Sequence, residues 1–140
     1  MTTEATVMFV VPETFERALR WIRRALTGES ISIAMELDVS GRIKRRLGVD
    51  LGPCRILCVD NPLLLLQAMA LDRSIVAFLP LHVAVSADGQ RTVVHLLSQS
   101  GIHGCGSPLG AKGVVSKLQA GLSRALEKIA VRQELGHVRS

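Results

Sequence analysis

Aromatic side chains are scarce in this sequence, cysteines are few, and no apolar run is as long as a membrane span. The chain has one Trp, three Phe and no Tyr. That scarcity argues against a stacking platform for single-stranded nucleic acid, which depends on several aromatic rings. The leucine run at residues 63–66 is too short to cross a bilayer and ends at Gln67. We therefore expect no membrane segment, and we do not favour a nucleic-acid partner.

Signals for secretion are missing as well. The first residues lack the basic and apolar regions of a signal peptide. The three cysteines are an odd number, and a reducing compartment keeps such residues as thiols. We expect a cytoplasmic protein without disulfides.

Aliphatic side chains are abundant instead. Hydrophobic residues make up 48% of the 140 positions, whereas aromatic residues make up 3%. A chain of this length is typical of one domain and buries roughly two thirds of its unfolded surface without needing disulfides. The aliphatic residues exceed what one such core can hide, and a partner subunit would cover the remainder. The composition thus predicts a single domain over residues 1–140 that forms a homodimer.

Positive charge is concentrated in two predicted helices. The net charge is +5, with arginines at positions 17, 20, 23 and 24 and a basic cluster over residues 42–46. Such clusters can attract an acidic protein or nucleic acid, and binding of that kind weakens steeply with salt. They can equally be solvated helix faces. A regulatory module that docks an acidic partner is therefore an alternative hypothesis.

Apolar periodicity defines the first half of the chain. Residues 5–11 have strand composition, and an amphipathic helix then ends at Gly28. Apolar and polar residues alternate over 30–39, which predicts a strand with one buried side. Ser40 is placed to cap a short basic helix that ends at Gly48.

The second half contains stronger local signals for helix starts and turns. Asn61 and Pro62 suit the cap and first position of a helix, Pro80 marks an irregular point or a strand start, and Asp88-Gly89 signals a hairpin. The remaining predicted elements, in chain order, are a strand at 55–59, a helix to Leu71, an apolar strand within 74–85, a strand at 91–97, a Gly-rich loop at 98–113, a helix at about 114–135 and a frayed tail at 136–140.

The resulting order is β-α-β-α-β-α-β-β-α. That order predicts an α+β domain with a mixed sheet and helices packed on it. No internal repeat or linker divides the chain.

Five segments, in this order and spacing, resemble the family called domain of unknown function 302, over about residues 15–97. They are Asp38-Val39, Ile43 to Asp50, Arg55-Ile56-Leu57, Asn61-Pro62, and Phe78-Leu79-Pro80 with Val83 and Val85. The resemblance implies a compact α+β domain that self-associates, with no established activity. Relatives often carry a cysteine before Asn-Pro and another after the late proline. Asp60 and Leu81 occupy those places here, so thiol or metal chemistry through that pair is not expected.

A Gly-rich loop before the last helix is the first candidate ligand site. Backbone amides at Gly104 and Gly106 could approach an anion, and Lys112 would add charge. The nucleotide-binding fingerprints are not satisfied, because the third glycine of one falls at Leu109 and Lys112 is flanked by Ala111 and Gly113. With Arg55 and Asp60 as further polar groups, we expect a small anionic or amphipathic ligand. A flexible loop without a ligand is the alternative.

A metal or thiol site is the second candidate. His103 and Cys105 could form half of a soft-metal site or a nucleophile pair, if the fold brought His82 or His95 to them. Cys54 and Cys58 would lie about 13 Å apart on a strand, too far to share one ion. A thiol- or metal-dependent enzyme is therefore a third hypothesis. Because no complete catalytic set is visible, we expect a non-enzymatic domain without a cofactor.

Overall fold

The computed structural model describes residues 6–98 and 109–133. The elements are β1 (Thr6–Val11), α1 (Phe15–Gly28), β2 (Ser32–Asp38), α2 (Val39–Leu47), β3 (Cys54–Asp60), α3 (Pro62–Leu71), a 3₁₀ turn (Arg73–Ala77), β4 (Leu81–Asp88), β5 (Arg91–Leu97), α4 (Leu109–Glu127) and β6 (Val131–Gln133). The predicted α+β class and element order are confirmed, and β6 is an addition.

The strands form one six-stranded sheet in the order β2-β3-β4-β5-β1-β6. Every pairing in the described chain is antiparallel, which corrects the mixed sheet expected from the alternation of strands and helices. The reason lies in the connections. The segments containing α2 and α3 each return the chain beside the preceding strand in the opposite direction, instead of crossing over to a parallel strand.

The helices cover one face of this sheet, which we call the inner face. Strand residues such as Phe9, Leu57 and Val83 pack there in one core with Ile22 of α1 and Leu122 of α4. Ala68 of α3 belongs to the same core. Helix α2 contributes no buried side chain. The molecule is thus a sheet with its helical layer on one side.

The opposite side of the sheet, which we call the outer face, carries the strand residues between the core positions. Successive side chains of a strand point to opposite faces, and the strand register aligns them in rows. The outer face carries Met8, Val10, Met35, Leu37, Ile56, Cys58, His82, Ala84, Val93 and His95. None of these residues belongs to the core that the helices share with the sheet.

Strand β2 departs from the predicted pattern because of a register shift between Ile33 and Met35. Ile33 lies opposite Val59 of the inner face, whereas Met35 lies opposite Cys58 of the outer face. The prediction that all apolar residues of 30–39 share one side was therefore wrong. One extra residue in the strand reverses the facing of everything after it.

Helix α2 begins two residues earlier than expected. The carboxylate of Asp38, not the hydroxyl of Ser40, caps it by accepting from the Gly41 N–H at 3.0 Å. Ser40 instead accepts from the Cys54 N–H at 3.2 Å and so ties the helix to β3. The predicted end at Gly48 is confirmed, with φ of 72° in the left-handed region.

The region around Pro80 also differs from its prediction. Residues 73–77 form the 3₁₀ turn, and the strand expected within 74–85 begins only at Leu81. Pro80 immediately precedes the strand, where its missing N–H costs no ladder bond. The hairpin at Asp88-Gly89 is confirmed, and Gly89 has φ of 63°.

The C-terminal helix predicted at about 114–135 is corrected to Leu109–Glu127. Its start falls inside the predicted 98–113 loop. After Glu127 the chain turns, and β6 pairs with β1. Without β6, β1 would be an edge strand with unpaired backbone groups, and a sequence pattern does not reveal that such an edge exists. The tail at 136–140 lies outside the described residues. No helix in the described ranges has both the length and the apolarity of a membrane span.

The two-layer arrangement predicts unequal costs for two leucine truncations. Leu122→Ala removes a side chain that is 1% exposed in the shared core, and we expect a loss of about 2–5 kcal/mol in the free energy of unfolding. Leu66→Ala, on the exposed side of α3, should change it by less than about 0.5 kcal/mol. Urea unfolding followed by far-ultraviolet circular dichroism measures both. Equal losses would contradict the assignment of the core.

Candidate functional site

A cleft of about 300 Å³ lies between the start of α3 and the middle of α4. The residues that connect α1 to β2, including Glu29 and Ile31, close its third side. A volume of this order is at the small end of the range for small-molecule sites. The cleft is therefore the first place to examine for a ligand.

Aliphatic side chains form most of the cleft wall. Ile31, Leu63, Leu64 and Leu118 line it from three different elements. Gly121 leaves the space open, because a Cβ atom at that position would lie 3.3 Å from Cδ1 of Ile31. The lining can therefore hold an apolar group, and a single glycine keeps part of that volume empty.

One end of the cleft is positively charged. Glu29 pairs with Arg124 (Nε to Oε1, 3.2 Å) and with Lys128 (Nζ to Oε2, 3.0 Å). Lys117 also lines the cleft, and its ammonium group forms no ion pair with any described residue. Two cations thus contact one carboxylate, and a third cation lines the same cleft. The Nη2 atom of Arg124 lies 3.6 Å from the position of a Cβ at Gly121, so it borders the open space.

The same contacts act on the acidity of Glu29. Hydrogen bonds from Lys128 and then Arg124 lower the pKa of its carboxyl group, and they outweigh the effect of desolvation. The group is therefore a fixed anion that orients two cations.

Asn61 fixes the mouth of the cleft. Its Oδ1 atom accepts from the N–H groups of Leu63 and Leu64 at 3.0 and 3.1 Å, and its Nδ2 donates to the carbonyl of Ser30 at 3.2 Å. The predicted cap is thus confirmed, with an added tie to the α1–β2 turn. Because the cap uses these amides, the cations rather than the helix end would hold an anion.

Two of the predicted ligand residues are separated by the fold. Arg55 and Asp60 stand at opposite ends of β3, five residues apart, which is about 17 Å along a strand. They also point to opposite faces of the sheet, since Arg55 pairs in register with Val85 of the inner face. Asp60 is next to Asn61 but does not line the cleft. No single small ligand can therefore use both.

Arg55 belongs to a second, more polar cleft of about 330 Å³ beside the starts of α1 and α2. The charges there are compensated: Glu36 lies 3.5 Å from Arg55 and also binds Arg23 at 2.6 Å. Lys44 lies 3.6 Å from Asp50. The Gly41 N–H and the Ser40 hydroxyl lower the pKa of Asp38, which also lines this cleft. An anion would find few unpaired cations in this cleft.

The remaining predicted residues cannot be placed. His103, Gly104, Cys105 and Gly106 lie outside the described residues, and only the backbone of Lys112 is described, within α4. No group of three potential metal ligands drawn from His, Cys, Asp and Glu occurs among residues 6–98 and 109–133.

The cysteines of β3 have structural surroundings. Cys54 and Cys58 share the outer face, as predicted from their spacing, and both are free thiols. Ser86 on β4 donates a hydrogen bond to the sulfur of Cys54 at 3.5 Å. Cys58 is 4% exposed. Neither thiol lines the α3–α4 cleft.

Part of the positive charge predicted on the first two helices is neutralised within the chain. Arg17 pairs with Glu13 at 3.1 Å, one turn earlier in the chain, and Arg23 pairs with Glu36. These contacts reduce what α1 offers to an acidic partner.

Sequence reasoning missed the charged end of the cleft. Glu29 and Arg124 are 95 residues apart in the chain, and neither belongs to a recognisable motif. Gly121, a glycine inside an apolar helical pattern, was the one available signal, because glycine in a helix costs stability and suggests a close approach.

Comparison with known proteins identifies a family and supports the fold. The family model described as "Domain of unknown function DUF302" matches residues 7–129, a longer stretch than the resemblance over 15–97. The structure is similar to one entitled "Crystal structure of uncharacterized conserved protein DUF302 from Bacillus stearothermophilus", with a TM-score of 0.81 over 91% of this chain and 99% of that chain. At 16% identity this likeness supports the fold alone. A search of curated proteins finds no match.

The role of Asn61 can be tested by two substitutions. Asn61→Ala removes the cap of α3 and the bond to Ser30, and we expect a loss of about 1 kcal/mol in unfolding free energy. Asn61→Asp keeps the capping oxygen but places an oxygen instead of a donor beside the Ser30 carbonyl, so we expect a loss smaller than that of Asn61→Ala. Urea unfolding measures both variants. An equal loss in the two would show that the tie to Ser30, not the cap, carries the effect.

The ion pairs of Glu29 predict a pH dependence. A carboxylate whose pKa is lower in the folded than in the unfolded chain stabilises the fold fully above its ordinary pKa of 4.5. That stabilisation is lost as the pH falls through the lower, folded pKa. The stability advantage of wild type over Glu29→Gln should therefore be constant near neutral pH and shrink below about pH 4.5. Thermal unfolding across pH measures the difference, and a constant advantage at acidic pH would contradict the ion pairs.

Proposed function

This chain belongs to the DUF302 family, and we propose that it is a cytoplasmic homodimer that binds a small amphipathic anion in the α3–α4 cleft. The observation that carries the proposal is the composition of the cleft. Its walls are aliphatic, and its lining also includes Lys117 and the ion pair of Glu29 with Arg124, which Lys128 joins from outside the lining. Such a combination suits a ligand with an anionic head and an apolar tail.

The head would bind at the Lys117 and Arg124 side. Arg124 uses its Nε to pair with Glu29, which leaves the other guanidinium N–H groups for an acceptor. Lys117 has its ammonium group free of ion pairs in the described chain. A carboxylate, sulfate or phosphate head could therefore form charge-assisted hydrogen bonds at this end.

The tail would run towards α3. Leu63 lines the cleft and is 63% exposed, and Leu66, one turn further, is 66% exposed. These two side chains continue the aliphatic wall outside the cleft. A tail of several methylene groups could cover them, at about 0.8 kcal/mol for each methylene removed from water.

Binding without catalysis is the simplest role for this cleft. Among its lining residues, the one carboxylate, Glu29, is held by two cations, and the described lining includes no Cys, His or Ser. General acid–base or nucleophilic chemistry uses such groups or a lysine, and we assign the one lysine of the lining, Lys117, to the ligand's head. We therefore propose a carrier or sensor of the ligand rather than an enzyme.

A titration with medium-chain fatty acids tests the proposal. We expect decanoate to raise the melting temperature and to bind with a measurable dissociation constant by isothermal titration calorimetry. Decanol and decylamine, which keep the tail and change the head, should bind more weakly. Lys117→Met should weaken decanoate binding by about tenfold, the loss expected for one charge-assisted hydrogen bond.

Two glycines of the same helix provide a matched control. Gly121→Leu places a side chain in the cleft and should abolish binding. Gly113→Leu makes the same substitution where a Cβ would meet nothing within 4 Å, and it should leave binding unchanged. If decanoate stabilised both variants equally, or stabilised none of the proteins including wild type, the cleft would not be the site.

A further inference from the structure

We infer that the outer face of the sheet binds the outer face of a second copy of this chain. The inference rests on the proposed homodimer and specifies which surface forms it. Its observations are independent of the α3–α4 cleft, which lies on the helical side of the molecule.

The centre of the outer face carries no charged side chain. Across β2, β3, β4, β5 and β1, its residues are aliphatic, small, sulfur-containing or histidine. Charged residues lie only at its ends: Asp60 at one end, and at the other the ion pair of Asp88 with Arg91 at 3.0 Å. Interfaces share this anatomy of an uncharged centre and a polar rim.

The strands have apolar residues at positions facing both sides. An antiparallel sheet with one side in water normally alternates apolar and polar residues. Here Met35 and Leu37 face outward and are 59% and 38% exposed, whereas Val10, Val93 and Cys58 face outward but are 9%, 8% and 4% exposed. The pattern is the one expected for a sheet covered on both faces, whereas the described helices cover one.

Net charge favours the outer face over the exposed leucines of α3 as the dimer interface. Two copies that each carry a charge of +5 repel unless their cations stay apart. Pairing through the outer faces leaves the arginines of α1 and the cations of α4, which are on the helical side of the sheet, on the far sides of the dimer. Pairing through the exposed leucines of α3 would bring Lys117 and Arg124 of both copies together at the cleft.

The face has the flat dimensions of a small interface. Five strands about 4.8 Å apart and about six residues long span roughly 500 Å² of flat area. Part of that area is already hidden within the chain, as the low exposure of Val10, Val93 and Cys58 shows, and a standard interface buries about 800 Å² for each partner. A self-complementary face of this size suits a two-fold dimer, in which the same patch serves both copies.

Charge insertion tests the inference. Ala84 lies on β4 at the centre of the face, and Ala84→Glu would place an unpaired carboxylate from each copy in the interface. We expect it to raise the dimer dissociation constant at least about a hundredfold, as measured by sedimentation equilibrium of the full chain. Met35→Glu, at an exposed position on the same face, should weaken the dimer too. If circular dichroism shows that Ala84→Glu is unfolded, the dissociation constant of Met35→Glu tests the interface instead.

Leu66→Glu on α3 is the matched control, since it introduces the same charge on the other apolar surface. We expect it to leave the dimer intact. Dissociation by Leu66→Glu, with the outer-face variants still dimeric, would place the interface elsewhere and leave the homodimer standing. A wild-type chain that stays monomeric at high micromolar concentration would overturn the homodimer itself.

Discussion

The sheet of this protein has two apolar faces and a helical layer for only one of them. Strand residues such as Leu57, Val83 and Val94 are fully buried against α1 and α4. This contact forms the hydrophobic core, which is built mostly from aliphatic side chains. Everything else in the structure depends on it: it fixes the helices on the inner face, opens the cleft between α3 and α4, and leaves the outer face for another partner.

The cleft shows how a binding site can arise from contacts that bridge distant parts of a chain. Glu29, at the end of α1, holds cations from α4, and Asn61, at the start of α3, holds the turn beside Glu29. Gly121 then leaves room between them. The aliphatic wall and the cationic end are therefore adjacent because three helices meet on one side of the sheet.

The sequence predicted the elements whose signals are local. Asn61 caps α3 through its own side chain, and Gly48 and Gly89 adopt the left-handed conformations that their neighbours require. The register shift in β2 and the pairing of β6 could not be read in this way, since both depend on strands far away in the chain. Ser40 resembled a cap in sequence, but Asp38 stands two residues earlier with a stronger acceptor.

The candidate site was harder to predict than the fold. Glycine and lysine near residue 112 suggested an anion site by analogy with helix starts, but the cations that border the cleft are Lys117 and Arg124, one and several turns further along α4. Arg55 was expected to be a polar group of the ligand site, but Glu36 compensates its charge. Burial and ion pairing decide which charges are available, and both are properties of the folded chain.

The register shift in β2 has a consequence for behaviour at high concentration. A long, regular edge strand is a template on which further chains can add without limit and form fibrils. The irregular ladder of β2 interrupts that template at one border of the sheet. Growth by strand addition is thus discouraged at the β2 border, which should help this aliphatic-rich chain resist polymerisation in a crowded solution.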